Sequence, residues 1–104
     1  MELKLTTYCE KRVPVHVRDQ VRLAYVIHGN NVTLNEERTG EARLGIWTTQ
    51  PICQFRFDPD STCWSLCFAD RNSKWHKYMP AKPSRDFEQL VGIVDTDLKG
   101  VFWG

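Results

Sequence analysis

The chain has 104 residues, enough for one domain and one core. Fourteen basic side chains stand against thirteen acidic ones, a balance that weighs against a dedicated phosphate-backbone binder. No apolar run approaches the ~18–20 residues needed to cross a bilayer, and no leader is evident, so no membrane partner is expected and the expected setting is the cytoplasm. There Cys9, Cys53, Cys63 and Cys67 would be free thiols.

Residues 2–12 can form a short helix, with Leu5, Tyr8, Cys9 and Arg12 on one stripe. Pro14 restricts Val13 to extended geometry and ends it. Residues 21–27 alternate and are answered by Val32 and Leu34. Gly29 and Asn30 tolerate the backbone of a two-residue hairpin loop, which sets Ile27 opposite Val32 and Tyr25 opposite Leu34. From Glu37 to Gln50 the alternation fails, and two glycines, mixed charges and a lone Trp47 read as a connecting loop.

Residues 53–78 read as three strands in a meander. The turn chemistry of residues 58–62 sets Phe57 opposite Trp64, Phe55 opposite Leu66 and Cys53 opposite Phe68. The second turn, residues 70–73, sets Phe68 opposite Trp75 and Cys67 opposite His76. One face then carries Cys53, Phe55, Phe57, Trp64, Leu66, Phe68 and Trp75, which makes it the core. The other carries Gln54, Arg56, Ser65, Cys67, His76 and Tyr78. Beyond Pro80 and Pro83 a second helix is expected, with Ser84 as N-cap and a stripe of Phe87, Leu90, Val91 and Val94 lying over Trp64 and Trp75. It ends near residues 95–97, and the apolar tail 100–104 should dock. The expected fold class is α+β: an antiparallel sheet of about five strands, hairpin plus meander, with the C-terminal helix and a short N-terminal helix packed on it.

Several stretches together resemble a bacterial family known as domain of unknown function 3024. They are Tyr8-Cys9-Glu10-Lys11-Arg12-Val13-Pro14, His16-Val17-Arg18-Asp19-Gln20, Gln54-Phe55-Arg56-Phe57, Trp64-Ser65-Leu66, Asp70-Arg71-Asn72, Trp75-His76-Lys77-Tyr78, Pro83-Ser84-Arg85-Asp86 and Gly100-Val101-Phe102-Trp103-Gly104. Members of that family tend to have a longer N-terminal helix, and often an aromatic where Cys67 stands. The resemblance implies no activity, cofactor or partner.

Among the chemical candidates, Cys63 and Cys67 lie roughly 13 Å apart on an extended strand, too far for one zinc ion, so no metal is expected. No glycine-rich phosphate loop or other cofactor motif is present. Cys67 opposite His76 is the one nucleophile-and-base pair, but it lacks an orienting carboxylate and oxyanion donors, which leaves a small enzyme as the remotest reading. Arg56, Arg71, Lys74, His76, Lys77 and Tyr78 form a modest basic and aromatic group. The expectation is a non-enzymatic binding or adaptor module working through Arg56, His76 and Tyr78, with Gln54, Ser65 and Arg71 beside them. Its partner would be a protein or small ligand, a second copy of the chain being one case. Weak nucleic-acid binding is the alternative.

Overall fold

The computed structural model describes residues 2–12, 21–39, 47–97 and 102, with side chains from residue 6 onward. The expectations for Leu5, Pro14, residues 40–46 and the tail residues 100, 101, 103 and 104 lie outside the described part. Helix α1 spans Glu2–Arg12 and precedes strands β1 (Val21–His28), β2 (Asn31–Thr39), β3 (Trp47–Asp58), β4 (Cys63–Ala69) and β5 (Trp75–Lys77). Helix α2, Phe87–Thr96, follows. The strands form one antiparallel sheet in chain order, and the α+β architecture is the expected one.

The first hairpin has the expected register: Ile27 faces Val32 and Tyr25 faces Leu34, with Gly29 at φ +60 in the loop. Glycine takes that left-handed backbone without a Cβ penalty. Between β2 and β3 the pairing shifts, since Leu34 faces Cys53 while Asn35 faces Pro51. Ile52 is the extra residue of a bulge. The stretch 37–50 is not wholly a loop: β2 runs on to Thr39 and β3 begins at Trp47. These polar ends lack apolar alternation yet pair residue for residue, Glu37 with Thr49 and Arg38 with Thr48. Backbone pairing needs no apolar side chains once a neighbouring strand is in place.

β3 and β4 pair as expected, with Phe57 opposite Trp64 and Phe55 opposite Leu66. The pairing of β4 with β5 departs from expectation by one residue: Cys67 faces Lys77, Phe68 faces His76, and Ala69 faces Trp75. Asp70 and Lys74 close the loop, the Asp70 amide donating to the Lys74 carbonyl at 2.8 Å. The loop therefore holds three residues, and Ser73 takes φ +61 to complete it. A one-residue slip turns every following side chain to the opposite face. Trp75 thus leaves the core face, contrary to expectation, while His76 and Tyr78 join it.

The core lies between the sheet and α2. Val32, Leu34, Phe55, Leu66, Leu90 and Val94 are each 1% exposed or less, and each such burial contributes about 1.5–3 kcal/mol. Phe87 of α2 sets its ring against Phe55 at 4.7 Å and Trp64 at 4.9 Å. Trp64 also meets Phe57 at 4.9 Å, so it packs under the helix as expected. The N-cap of α2 is Asp86, whose carboxylate accepts the Glu88 amide, and not Ser84. Ser84 is committed to β4 instead, where its amide and carbonyl both bond to Trp64. Asp97 ends α2 in the left-handed region, its amide reaching the Ile93 carbonyl. Phe102 is buried, its ring 5.1 Å from Tyr78 and its amide bonded to the Asp97 carboxylate. Helix α1 joins the same side of the sheet through Tyr8 and Cys9, which pack half-buried against the core, and through polar links. Thr6 meets the Tyr25 hydroxyl at 3.1 Å, while the Tyr8 hydroxyl donates to Asp95 and Arg12 pairs with that same carboxylate.

Candidate functional site

Strand parity gives the sheet two unlike faces. The helix side carries Tyr25, Val32, Leu34, Cys53, Phe55, Trp64, Leu66 and Phe68. The opposite side carries Thr33, Gln54, Arg56, Ser65, Cys67, Trp75 and Lys77, and no helix among the described residues packs on it.

The six residues expected to form one binding surface are divided by this arrangement. Gln54, Arg56 and Ser65 share the helix-free face, Arg56 standing directly opposite Ser65. His76 and Tyr78 lie on the helix side. The His76 ring is 5.5 Å from that of Phe68, and its Nε2 is 2.6 Å from an Asp70 carboxylate oxygen. Tyr78 is a core residue, buried between Phe68 and Phe102. Arg71 is exposed in the loop between β4 and β5. The expectation that Arg56, His76 and Tyr78 share one face is therefore corrected, for the reason given by the three-residue loop.

The same slip removes the supposed nucleophile-and-base pair. Cys67 and His76 stand on opposite faces, and the position across from Cys67 belongs to Lys77. The Cys67 thiol is fully buried, and burial raises its pKa, against which the charges of Arg56 and Lys77 pull weakly downward. Cys53 is pushed well above the ordinary thiol value, and Cys9 up to about 11, in both cases chiefly by burial. Protonated thiols are poor nucleophiles and poor metal ligands. No group of three or more metal-ligating side chains converges among the described residues.

On the helix-free face a short polar chain fixes one cation. Gln54 is 9% exposed; its amide nitrogen donates to the Thr33 hydroxyl at 3.0 Å, and its amide oxygen accepts from Arg56 Nε at 2.6 Å. A buried amide with both ends satisfied is a rigid support. The Arg56 guanidinium is thus held by one edge while the residue stays exposed. Lys77 stands in the same cross-strand row as Cys67 and Gln54, one row from Arg56 and Ser65. No described carboxylate forms an ion pair with Arg56 or Lys77, whereas Arg22 pairs with Glu37, Arg38 with Glu36 and Arg12 with Asp95. At the far end of this face Arg22 also lies 3.9 Å from the centre of the Trp47 ring, a cation–π contact.

Sequence reasoning missed Lys77, Trp75 and Thr33 as members of this face. The faces of Trp75 and Lys77 follow from the loop before them: Asp70 accepts the amides of Asn72 and Lys74, an aspartate-stabilised turn of odd length that no glycine marks.

No helix among the described residues is long and apolar enough to cross a membrane. No curated protein and no solved structure matches the chain. A family model does match, over residues 1–104, and by that whole-length match the chain belongs to the family described as Domain of unknown function (DUF3024).

Proposed function

We propose that this chain is a non-enzymatic binding module that engages its partner through the helix-free face of the sheet, with Arg56 at the centre. The observation that carries this reading is the support under Arg56. A buried glutamine, itself held by Thr33, orients a guanidinium that no described carboxylate neutralises. An arginine so fixed presents donors to a carboxylate, phosphate or backbone carbonyl at little entropic cost. Ser65 and Lys77 extend the polar surface, and Trp75 offers a half-buried ring beside them. Four free cysteines fit a cytoplasmic setting.

Capture of partners on the immobilised chain tests the reading when wild type, Arg56→Ala and His76→Ala are compared side by side. The expected result is loss of the captured partner with Arg56→Ala and retention with His76→Ala, both variants remaining folded by thermal melting. Equal capture by Arg56→Ala overturns the assignment. Nucleic acid is the second reading, supported by Lys77 and Trp75 sharing the face of Arg56. Binding of a mixed-sequence single-stranded oligonucleotide with a steep dependence on salt would favour it, and the near-balance of charge argues against it.

A further inference from the structure

The edge of β4 is only partly covered by β5. Beyond Lys77 the Tyr78 amide still reaches the Leu66 carbonyl at 2.8 Å, and the chain returns to β4 when Ser84 bonds to Trp64 at 2.7 and 2.9 Å. Leu66 and Trp64 are two residues apart, whereas Tyr78 and Ser84 are six apart. Residues 79–83 are therefore thrown out from the edge. Pro80 and Pro83 suit that path because they have no amide to leave unbonded, and the Ala81 amide closes a turn onto the Tyr78 carbonyl.

The excursion encloses a groove of about 330 Å³, within the size range of small-ligand sites. Ser65, Lys77 and Lys82 are the polar residues that line it, Met79, Ala81 and Pro83 are among the apolar ones, its surface is mostly apolar, and no carboxylate lines it. No described carboxylate forms an ion pair with either lysine. Arg56, directly across from Ser65, adds a third cation at the margin. Met79 is 79% exposed, the most exposed large apolar side chain described. Two lysines and a serine at a mostly apolar groove are complementary to an oxyanion carried on an apolar stem.

We propose that this groove binds a small organic anion, a carboxylate or phosphate head on a short apolar body. The head lies between Lys77, Lys82 and Ser65, and the stem lies against Met79, Ala81 and Pro83. The inference rests on the binding-face reading only in sharing Ser65 and the margin at Arg56.

The test is a titration of the folded, isotope-labelled chain with hexyl phosphate, hexanoate and inorganic phosphate, following the amide resonances of Ser65, Lys77 and Lys82. Saturable shifts at those amides are expected with hexyl phosphate, hexanoate or both, the two probes separating a phosphate from a carboxylate preference. The preferred probe should bind more tightly than inorganic phosphate. Lys77→Gln and Lys82→Gln should each weaken it about tenfold, as the loss of a charge-assisted hydrogen bond does. Met79→Ala should weaken the stem-bearing probes and leave inorganic phosphate unchanged. Absence of saturable shifts for both stem-bearing probes overturns the proposal, as does an undiminished affinity in the double lysine variant. Partner capture by wild type and Arg56→Ala, run on the same preparations, then decides the binding-face reading separately.

Discussion

Asp70 and Lys74 hold each other across the loop between β4 and β5, the Asp70 amide bonded to the Lys74 carbonyl at 2.8 Å and the Lys74 amide to an Asp70 carboxylate oxygen at 2.9 Å. The three residues enclosed decide which side chains of β5 meet the core and which meet solvent. Tyr78 therefore behaves as core, packed against Phe68 and Phe102, while Arg56 belongs to the open face. Tyr78→Ala should cost about 3–5 kcal/mol, as for other buried rings, and Arg56→Ala under about 1 kcal/mol. Urea unfolding of the two variants checks the contrast; equal losses would contradict the assignment of faces.

The two tryptophans of the meander should separate in the same way. Trp64 touches both Phe57 and Phe87, whereas Trp75 stands opposite Ala69 on the face that α2 does not touch. Trp64→Ala is expected to destabilise the fold by about 3 kcal/mol and Trp75→Ala by about 1 kcal/mol. Thermal melts of both variants give the comparison.

Asp70 also carries a pH signature. Its carboxyl is held below the ordinary value of 3.8, first by the hydrogen bond from His76 and next by the Lys74 amide. A depressed carboxyl contributes stability above the unfolded-state value and loses it as pH falls through the folded-state value. The loop should therefore weaken as pH drops below 3.8, and Asp70→Asn should remove that part of the dependence. Urea midpoints measured at stepped acid pH for wild type and variant report it.

Thr62 takes φ +55 in the loop between β3 and β4, a conformation a β-branched residue adopts only under strain. Thr62→Gly should relieve it and stabilise the domain by about 0.5–1 kcal/mol, part of the gain being offset by the greater freedom of glycine when unfolded. A rise in melting temperature is the expected reading.

Cys9 should alkylate slowly at neutral pH, because burial raises its thiol to about 11. Folding favours its protonated form, so its contribution is intact below the ordinary 9.0 and is lost as pH climbs from there through 11. Iodoacetamide labelling of the native chain, with mass analysis after digestion, measures the rate.

The fold was legible wherever a turn residue or an alternating pair left one arrangement open. Gly29 and Asn30 fixed the first hairpin, and the aspartate–proline turn after Phe57 fixed the second. The loop after Asp70 contains no glycine, so nothing in its composition marks Ser73 as the left-handed residue. The odd loop length was hidden, and with it the faces of Trp75, His76, Lys77 and Tyr78. The polar ends of β2 and β3 were hidden because backbone pairing, the Arg22–Trp47 contact and polar side-chain links hold them, none of which leaves an apolar alternation in the sequence. Of the candidate site, Gln54, Arg56 and Ser65 could be read from strand parity alone. Lys77 and Lys82 could not, since their placement depends on that loop and on the excursion of residues 79–83.

Asp95 receives both Tyr8 and Arg12, and the Tyr8 bond joins positions 87 apart in the chain. Among the described residues that joint closes a very long loop, and its carboxylate is exposed. Closing so long a loop is entropically expensive until the sheet has already brought the two helices together. The exposed polar links at Asp95 return little of that cost, and Tyr8 and Cys9 are only half-buried against the core. During refolding α1 should dock after the meander has formed. In the native ensemble its amides should exchange with solvent by a local opening that leaves β2, β3 and β4 closed.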